Sequence, residues 1–306
     1  MRFNKGKIFL AIAFILAGSS VVTARYVSGD LQPFTITFMS LVFASLTAFS
    51  LCGRSILSTA KKLSKRHWKI LILQSVFGIF LFRIFLTFGL RYTSAVEAGI
   101  VTGTSPAITA VFTRLFLKEH LNKSSMIGIL FTLSGVLILQ GFPFNMASFD
   151  IGHLLGNILA LGAASCESLF ATLSRKAHTD SKEDYELRPF AQSGIVSIIA
   201  LMLCLIPMLS ESPFSELTAL PTIGWIALAW YGSAATVIAF ACMFTGAKYC
   251  DGYTIAAFSG LIPISSLVLS ITVLKEAVSL NQVIGCGLIV ASIMIMSRKE
   301  KQNSAE

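Results

Sequence analysis

The first half of the chain recurs in the second half at a gapless offset of 157 positions. Tyr92 matches Tyr249, Gly103 matches Gly260 and Pro106 matches Pro263. The pair Lys118 and Glu119 matches Lys275 and Glu276, and Gly128 matches Gly285. The repeated stretch is apolar and long enough to cross a bilayer twice, so the chain reads as two copies of one membrane unit. If each copy has an odd number of spans, the second lies upside down relative to the first. Inverted copies of this kind enclose a central site that can open to either side.

Only 13% of the residues are charged, 55% are hydrophobic and the mean hydropathy is +0.77. A soluble domain carries about 25% charged residues. Apolar runs of roughly 20 residues alternate with short polar patches, as bilayer-spanning helices require. Ten spans are expected, at roughly 7–28, 33–52, 69–91, 94–117 and 123–141, then 152–174, 188–209, 221–247, 252–274 and 280–297. The expected fold is therefore an all-α membrane protein of ten transmembrane helices, built as two inverted five-helix repeats over residues 1–145 and 146–306. The loop from Phe142 to Asp150 is the expected hinge. Arg2, Lys5 and Lys7 before the first apolar run resemble a secretory signal, but further spans come at once and make this a retained first span.

A net charge of +9 suggests nucleic acid until the charges are placed. With the N-terminus inside, only Arg25, Arg91 and Lys275 of the 24 Lys and Arg fall outside, and Arg83 lies within a span. The positive-inside rule thus puts both termini in the cytoplasm and the chain in the cytoplasmic (inner) membrane. The expected partners are the lipid bilayer and a small-molecule substrate, not nucleic acid; a homodimer is left open. The stretch from Arg54 to Trp68, with Ile56, Leu57, Ala60 and Leu63 on one side, reads as a segment lying against inner headgroups. The six cysteines show no C-x-x-C pair and read as small apolar packing residues.

Each copy carries G-x-x-P in mid-span. Proline removes a backbone donor and frees the carbonyl four residues back, here that of Thr102 or Ser259. In lipid such a carbonyl needs a partner or a polar cavity. Gly103, Pro106, Gly260 and Pro263 are therefore helix breaks that point to a central binding site, or structural kinks that touch no cargo. The pairs Lys118–Glu119 and Lys275–Glu276 close these spans. They read as interfacial pairs with the lysines snorkelling, or as gates on opposite faces.

These features resemble the EamA-type branch of the drug/metabolite transporter superfamily. The resemblance rests on the two five-span halves, the entries to the fourth and ninth spans at Gly89–Tyr92 and Gly246–Tyr249, the mid-span prolines, and the closing residues Glu119 and Glu276. Arg175, in LFATLSRKA, also fits. The resemblance implies a ten-helix carrier of small metabolites, often amino acids and often exported. The Lys-Glu endings depart from the family's commoner Gly-Glu.

Ionisable residues within spans are costly and mark function by default. Arg83 lies in the third span, and Glu167 in the sixth. Neither has a twin: Arg83 matches Phe240, and Glu167 matches Ala17 when Arg25 is aligned with Arg175. Unmatched charge on a matched scaffold suits an asymmetric cargo. Arg83 would hold a carboxylate or phosphate, and Glu167 an amine or a transported proton. Otherwise the two pair with each other or with polar backbone and hold helices together. Glu97, in the first turn of the fourth span, has a helix-terminus explanation as well as a binding one. Trp230, Tyr231 and Phe240 could line a cavity or face lipid, whereas Trp68 and Trp225 read as interfacial anchors. The site is expected among the third, fourth, sixth, eighth and ninth spans.

No P-loop, dinucleotide fingerprint or H-E-x-x-H motif occurs, and the four histidines sit apart. Neither an enzyme nor a metal or organic cofactor is expected; proton or ion coupling is left open beside an exchange partner or the cargo's own gradient. The expected function is a secondary active transporter that moves a small polar or zwitterionic metabolite, an amino acid or related compound, outward by alternating access. The alternatives are an uptake carrier for a vitamin, nucleoside-like compound or amino acid, and then a lipid flippase or non-transporting scaffold.

Overall fold

A computed structural model describes residues 2–117, 123–139, 151–180, 189–247, 249–250, 255 and 258–303. Among these residues every element is helical. The helices are α1 (Arg2–Val27), α2 (Pro33–Lys62), α3 (Lys65–Gly89), α4 (Ala95–Thr102), α5 (Ser105–Leu117) and α6 (Lys123–Leu139). They continue as α7 (Ile151–Asp180), α8 (Pro189–Leu209), α9 (Pro213–Ala219), α10 (Thr222–Gly246), α11 (Leu261–Leu274) and α12 (Leu280–Asn303). Seven stretches, counting α4–α5 as one, are long and apolar enough to cross a membrane, and α6, α11 and α12 contain shorter apolar helices. The expected hinge at Phe142–Asp150, and Lys118 and Glu119, lie outside the described residues.

Helix pairing respects the repeat. α2 packs on α8 and α6 on α12, each against its own counterpart, while α4 packs on α11, the counterpart of α5. α1 packs on α10 and α11, just as α7 packs on α3 and α5. Glycine makes the tightest crossings possible. A Cβ on Gly89 would stand 2.9 Å from the Gly156 carbonyl, and one on Gly135 would stand 3.0 Å from the Gly285 carbonyl. The outside of the bundle is apolar, with Ile206 80% exposed and Leu280 73% exposed. Serine and threonine are buried between helices instead, where each hydroxyl can bond its own helix's carbonyls.

Among the described residues three helices carry π turns, at Val76–Leu81 in α3, at Ser233–Ile238 in α10 and at Ser270–Leu274 in α11. The first two are related by the same 157-residue offset. A π turn inserts a residue and rotates everything beyond it, and such turns gather at functional sites. Arg83 comes just after the first, and Tyr231 just before the second.

The breaks near the prolines differ from the expectation. The chain leaves helix at Gly103–Thr104, ahead of Pro106, and at Gly260, ahead of Pro263. Gly103 (φ −61°, ψ −8°) and Gly260 (φ −60°, ψ −13°) adopt one geometry. Each proline then sits in the first turn of the next helix, where its missing N–H is needed least. The Thr102 carbonyl is not offered to a cavity: it lies 2.8 Å from the Ser105 hydroxyl.

The stretch after Cys52 also departs from the expected surface segment. Helix α2 continues past a kink at Cys52 to Lys62. Ile56 is buried in a core with Ala48 and Ile195, while Leu57 points outward. Ser64 then caps α3 by accepting from the His67 amide.

Candidate functional site

A cavity of about 830 Å³, measured with its opening, lies among α1, α3, α4, α7, α10 and α11. Five of these six belong to the spans expected to bound a site. The sixth, α1, was not expected, although Ala13, Ala17 and Ser20 form a legible stripe of small residues at helical spacing. The walls are mostly apolar, with Phe14, Phe82, Phe170 and Phe240 prominent. Arg83 and its counterpart Phe240 both line the cavity, as do Glu167 and its counterpart Ala17. The scaffold is matched here and the charge is not.

Arg83 is 4% exposed. One guanidinium nitrogen donates to the hydroxyl of Ser40 on α2, and another to that of Thr236 in the α10 π turn. Its central carbon stands 3.9 Å from the ring centroid of Tyr231. The Thr236 hydroxyl in turn donates to the Tyr231 carbonyl, five residues back, at 2.7 Å. The π turn thus builds the cradle. All three neighbours are neutral, and no carboxylate pairs with Arg83 among the described residues. A buried charge without a partner is costly. The Tyr231 hydroxyl, also buried, finds no hydrogen-bond partner among the described residues. Such an orphan at a cavity wall calls for an explanation. Ser40 and Thr236 carried no sequence signal beyond being hydroxyls in spans.

Glu167 Oε2 lies 2.7 Å from the Ser105 hydroxyl and makes no ion pair with Arg83, so the two do not merely neutralise each other. Thr102 lines the cavity, but its hydroxyl is turned back to the Gly99 carbonyl. Gly103 packs against Pro263, where a Cβ would come within 3.0 Å of the proline ring. Ser259 is not among the lining residues. Neither is Trp230: it is 48% exposed, and its indole N–H bonds Ser19 on the flank of α1.

Glu97 belongs to a separate cluster at the start of α4. It accepts from Thr93 (2.7 Å), Asn157 (2.9 Å) and Gln282 (3.1 Å), with His153 at 3.6 Å. Glu276 does not pair with Lys275 as an interfacial couple. It reaches the amides of Ala95 and Val96 at 3.2 Å each and lies 3.7 Å from Arg25. It thereby satisfies orphan donors at the N-terminus of α4. Lys275 is exposed and left-handed at the end of α11 (φ 57°). Arg25 also donates to the Leu90 carbonyl. Nearby, Glu211 accepts from the amides of Phe34 and Thr35, and Glu216 from that of Gln32, which holds the start of α2. One end of the bundle is thus laced shut by carboxylates on helix N-termini. Neither Glu211 nor Glu216 is legible in the sequence, because a loop acid shows no sign of the distant amide it will meet.

The EamA-like transporter family model matches residues 4–140 and again residues 154–298. An uncharacterized transporter, YetK, of Bacillus subtilis is 27% identical over 97% of this chain and 88% of its own length. A WAT1-related protein of Arabidopsis thaliana is 23% identical over 96% of this chain and 86% of its own. A solved crystal structure at 19% identity superposes with a TM-score of 0.61, covering 96% of this chain and 97% of that one, which supports the fold. With the family model covering nearly the whole chain in two matches, the protein belongs to the EamA-like transporter family.

Proposed function

We propose that this protein is a secondary carrier of the cytoplasmic membrane that exports a small metabolite with a carboxylate or similar anionic group, such as an amino acid. The observation that carries this is Arg83: a buried cation without a counter-ion among the described residues, beside a Tyr231 hydroxyl unpaired among them, in an apolar cavity. An anion entering there gains a forked donor and a hydroxyl at once. Glu167 on the same cavity suits the amine of a zwitterion.

The chain would be ten spans in two inverted halves, 1–145 and 146–306. The running of α4 against α11 supports inversion. Ala95, Gly99 and Gly103 meet Glu276, Ser266 and Pro263 in turn, so the matching fourth and ninth spans run antiparallel here. With the basic loops in the cytoplasm, the cavity lies near the middle of the bundle and the carboxylate lacing closes the outer side. This is the inward-facing stage of an alternating-access cycle. The test is counterflow in proteoliposomes with pooled radiolabelled amino acids and other small carboxylates, comparing wild type with Arg83→Gln. Exchange of a carboxylate in wild type that fails in the variant supports the proposal. Equal exchange in both, or none with any compound in wild type, overturns it.

A further inference from the structure

Ser105 opens α5 directly after the Gly103–Thr104 turn, and its hydroxyl faces two oxygens. Its Oγ lies 2.8 Å from the Thr102 carbonyl and 2.7 Å from Oε2 of Glu167. A serine hydroxyl has one hydrogen to give, and a carbonyl can only accept. Both contacts are full two-centre hydrogen bonds, not one shared hydrogen, only if Glu167 brings a proton of its own. Glu167 then donates to Ser105, and Ser105 donates to Thr102. If Glu167 is ionised, Ser105 must turn its hydrogen to the carboxylate, the stronger acceptor. The Thr102 carbonyl, which Pro106 leaves without a helical partner, then has none. The start of α5 is also held to α7 from the neighbouring position, since the Ser168 hydroxyl lies 2.8 Å from the Ser105 carbonyl. The geometry between Glu167 and the break is therefore set by two adjacent residues of α7.

We infer that Glu167 is a proton-binding site whose occupancy sets the conformation of the break between α4 and α5. The bond made is O–H on Oε2, from a proton of the aqueous cavity, and the same proton leaves when the carboxylate reforms. This rests on the carrier reading only in that it names the coupling ion. Arg83 from α3 and Tyr231 from α10 share the cavity with Glu167, and Cys166 precedes it on α7. Elsewhere on the elements packed against α7 lie Arg114 on α5, Glu97 on α4, and Lys65, Arg66, His67 and Lys69 at the start of α3. His153 is at the far end of α7, bound to Glu97. Arg83 is thus the one cation that shares the cavity with Glu167 among the described residues. A protonated Glu167 leaves it free for an anionic cargo, whereas an ionised Glu167 competes for it.

Two measurements on the full-length protein in lipid nanodiscs, without any cargo, test this. The first is an infrared pH titration that tracks the carboxylic C=O stretch. The second is hydrogen exchange, by mass spectrometry, of peptides covering residues 99–109, corrected for the intrinsic pH dependence. In wild type the band should disappear as pH rises, with exchange of the break accelerating about tenfold, the scale of one lost buried hydrogen bond. Glu167→Gln, whose amide still donates to Ser105, should lack the band and stay protected at every pH. Ser105→Ala should keep a shifted band and exchange fast throughout. A wild-type band that survives intact in Glu167→Gln, or break exchange that tracks only the intrinsic rate, overturns the inference. Neither readout needs cargo, so their failure is distinct from a failed counterflow experiment.

Discussion

Replacing Arg83 by glutamine should separate binding from stability. Two hydrogen bonds from its charged group to Ser40 and Thr236 contribute about 1.5–3 kcal/mol each. Stacking at 3.9 Å over Tyr231 adds about 2 kcal/mol in a dry setting. Against these stands the cost of burying an unpaired cation, about several kcal/mol after relaxation. The terms nearly cancel, and glutamine can still bond both hydroxyls. The unfolding free energy should therefore change by no more than about 2 kcal/mol in either direction. Cargo binding has no such compensation. Removing one member of a buried charge pair costs about 3–5 kcal/mol, which is roughly a hundredfold to a few thousandfold in affinity. The assay pairs thermal unfolding of the purified protein with the concentration dependence of counterflow. Arg83→Lys should recover part of the affinity, since it restores charge without the fork. A variant that melts far below wild type yet keeps its cargo affinity would refute the reasoning and make Arg83 a structural brace.

Glu276→Ala removes the acceptor at the start of α4 and should weaken outer closure by about 0.5–2 kcal/mol. A cysteine introduced at Ser20, on the cavity wall, should then react faster with an impermeant thiol reagent added outside; an unchanged rate would deny Glu276 a latching role. Gly89→Ala meets the Gly156 carbonyl at 2.9 Å and should destabilise by about 1–3 kcal/mol. Gly287→Ala has nothing within 4 Å and should be neutral or stabilising by up to about 1 kcal/mol, so thermal unfolding of the pair isolates the crossing. Thr236→Val removes both the Arg83 acceptor and the bond to the Tyr231 carbonyl, and should lower cargo affinity about tenfold, the scale of one hydrogen bond. Unaltered counterflow would remove the π turn from the site.

The helical membrane class, the repeat and the two charged residues that line the cavity were all legible in the linear chain. Lipid tolerates no unpaired backbone and few charges, so long apolar runs and the rare Arg83 and Glu167 are conspicuous in composition alone. The neighbours of those residues came from packing. Trp230 and Tyr231 are adjacent in sequence, yet one flanks α1 in the open and the other closes the Arg83 cradle, because the two project from different sides of α10. The π turns rotate the rest of their helices by an inserted residue, so a strict helical period misplaces every side chain beyond them. Glu276 and the amides it caps lie about 180 residues apart, and Ser40 and Thr236 are unremarkable hydroxyls until Arg83 lies between them. A periodic pattern along one chain sets each helix, but a cavity is the meeting of faces from six, and that meeting is fixed only by packing.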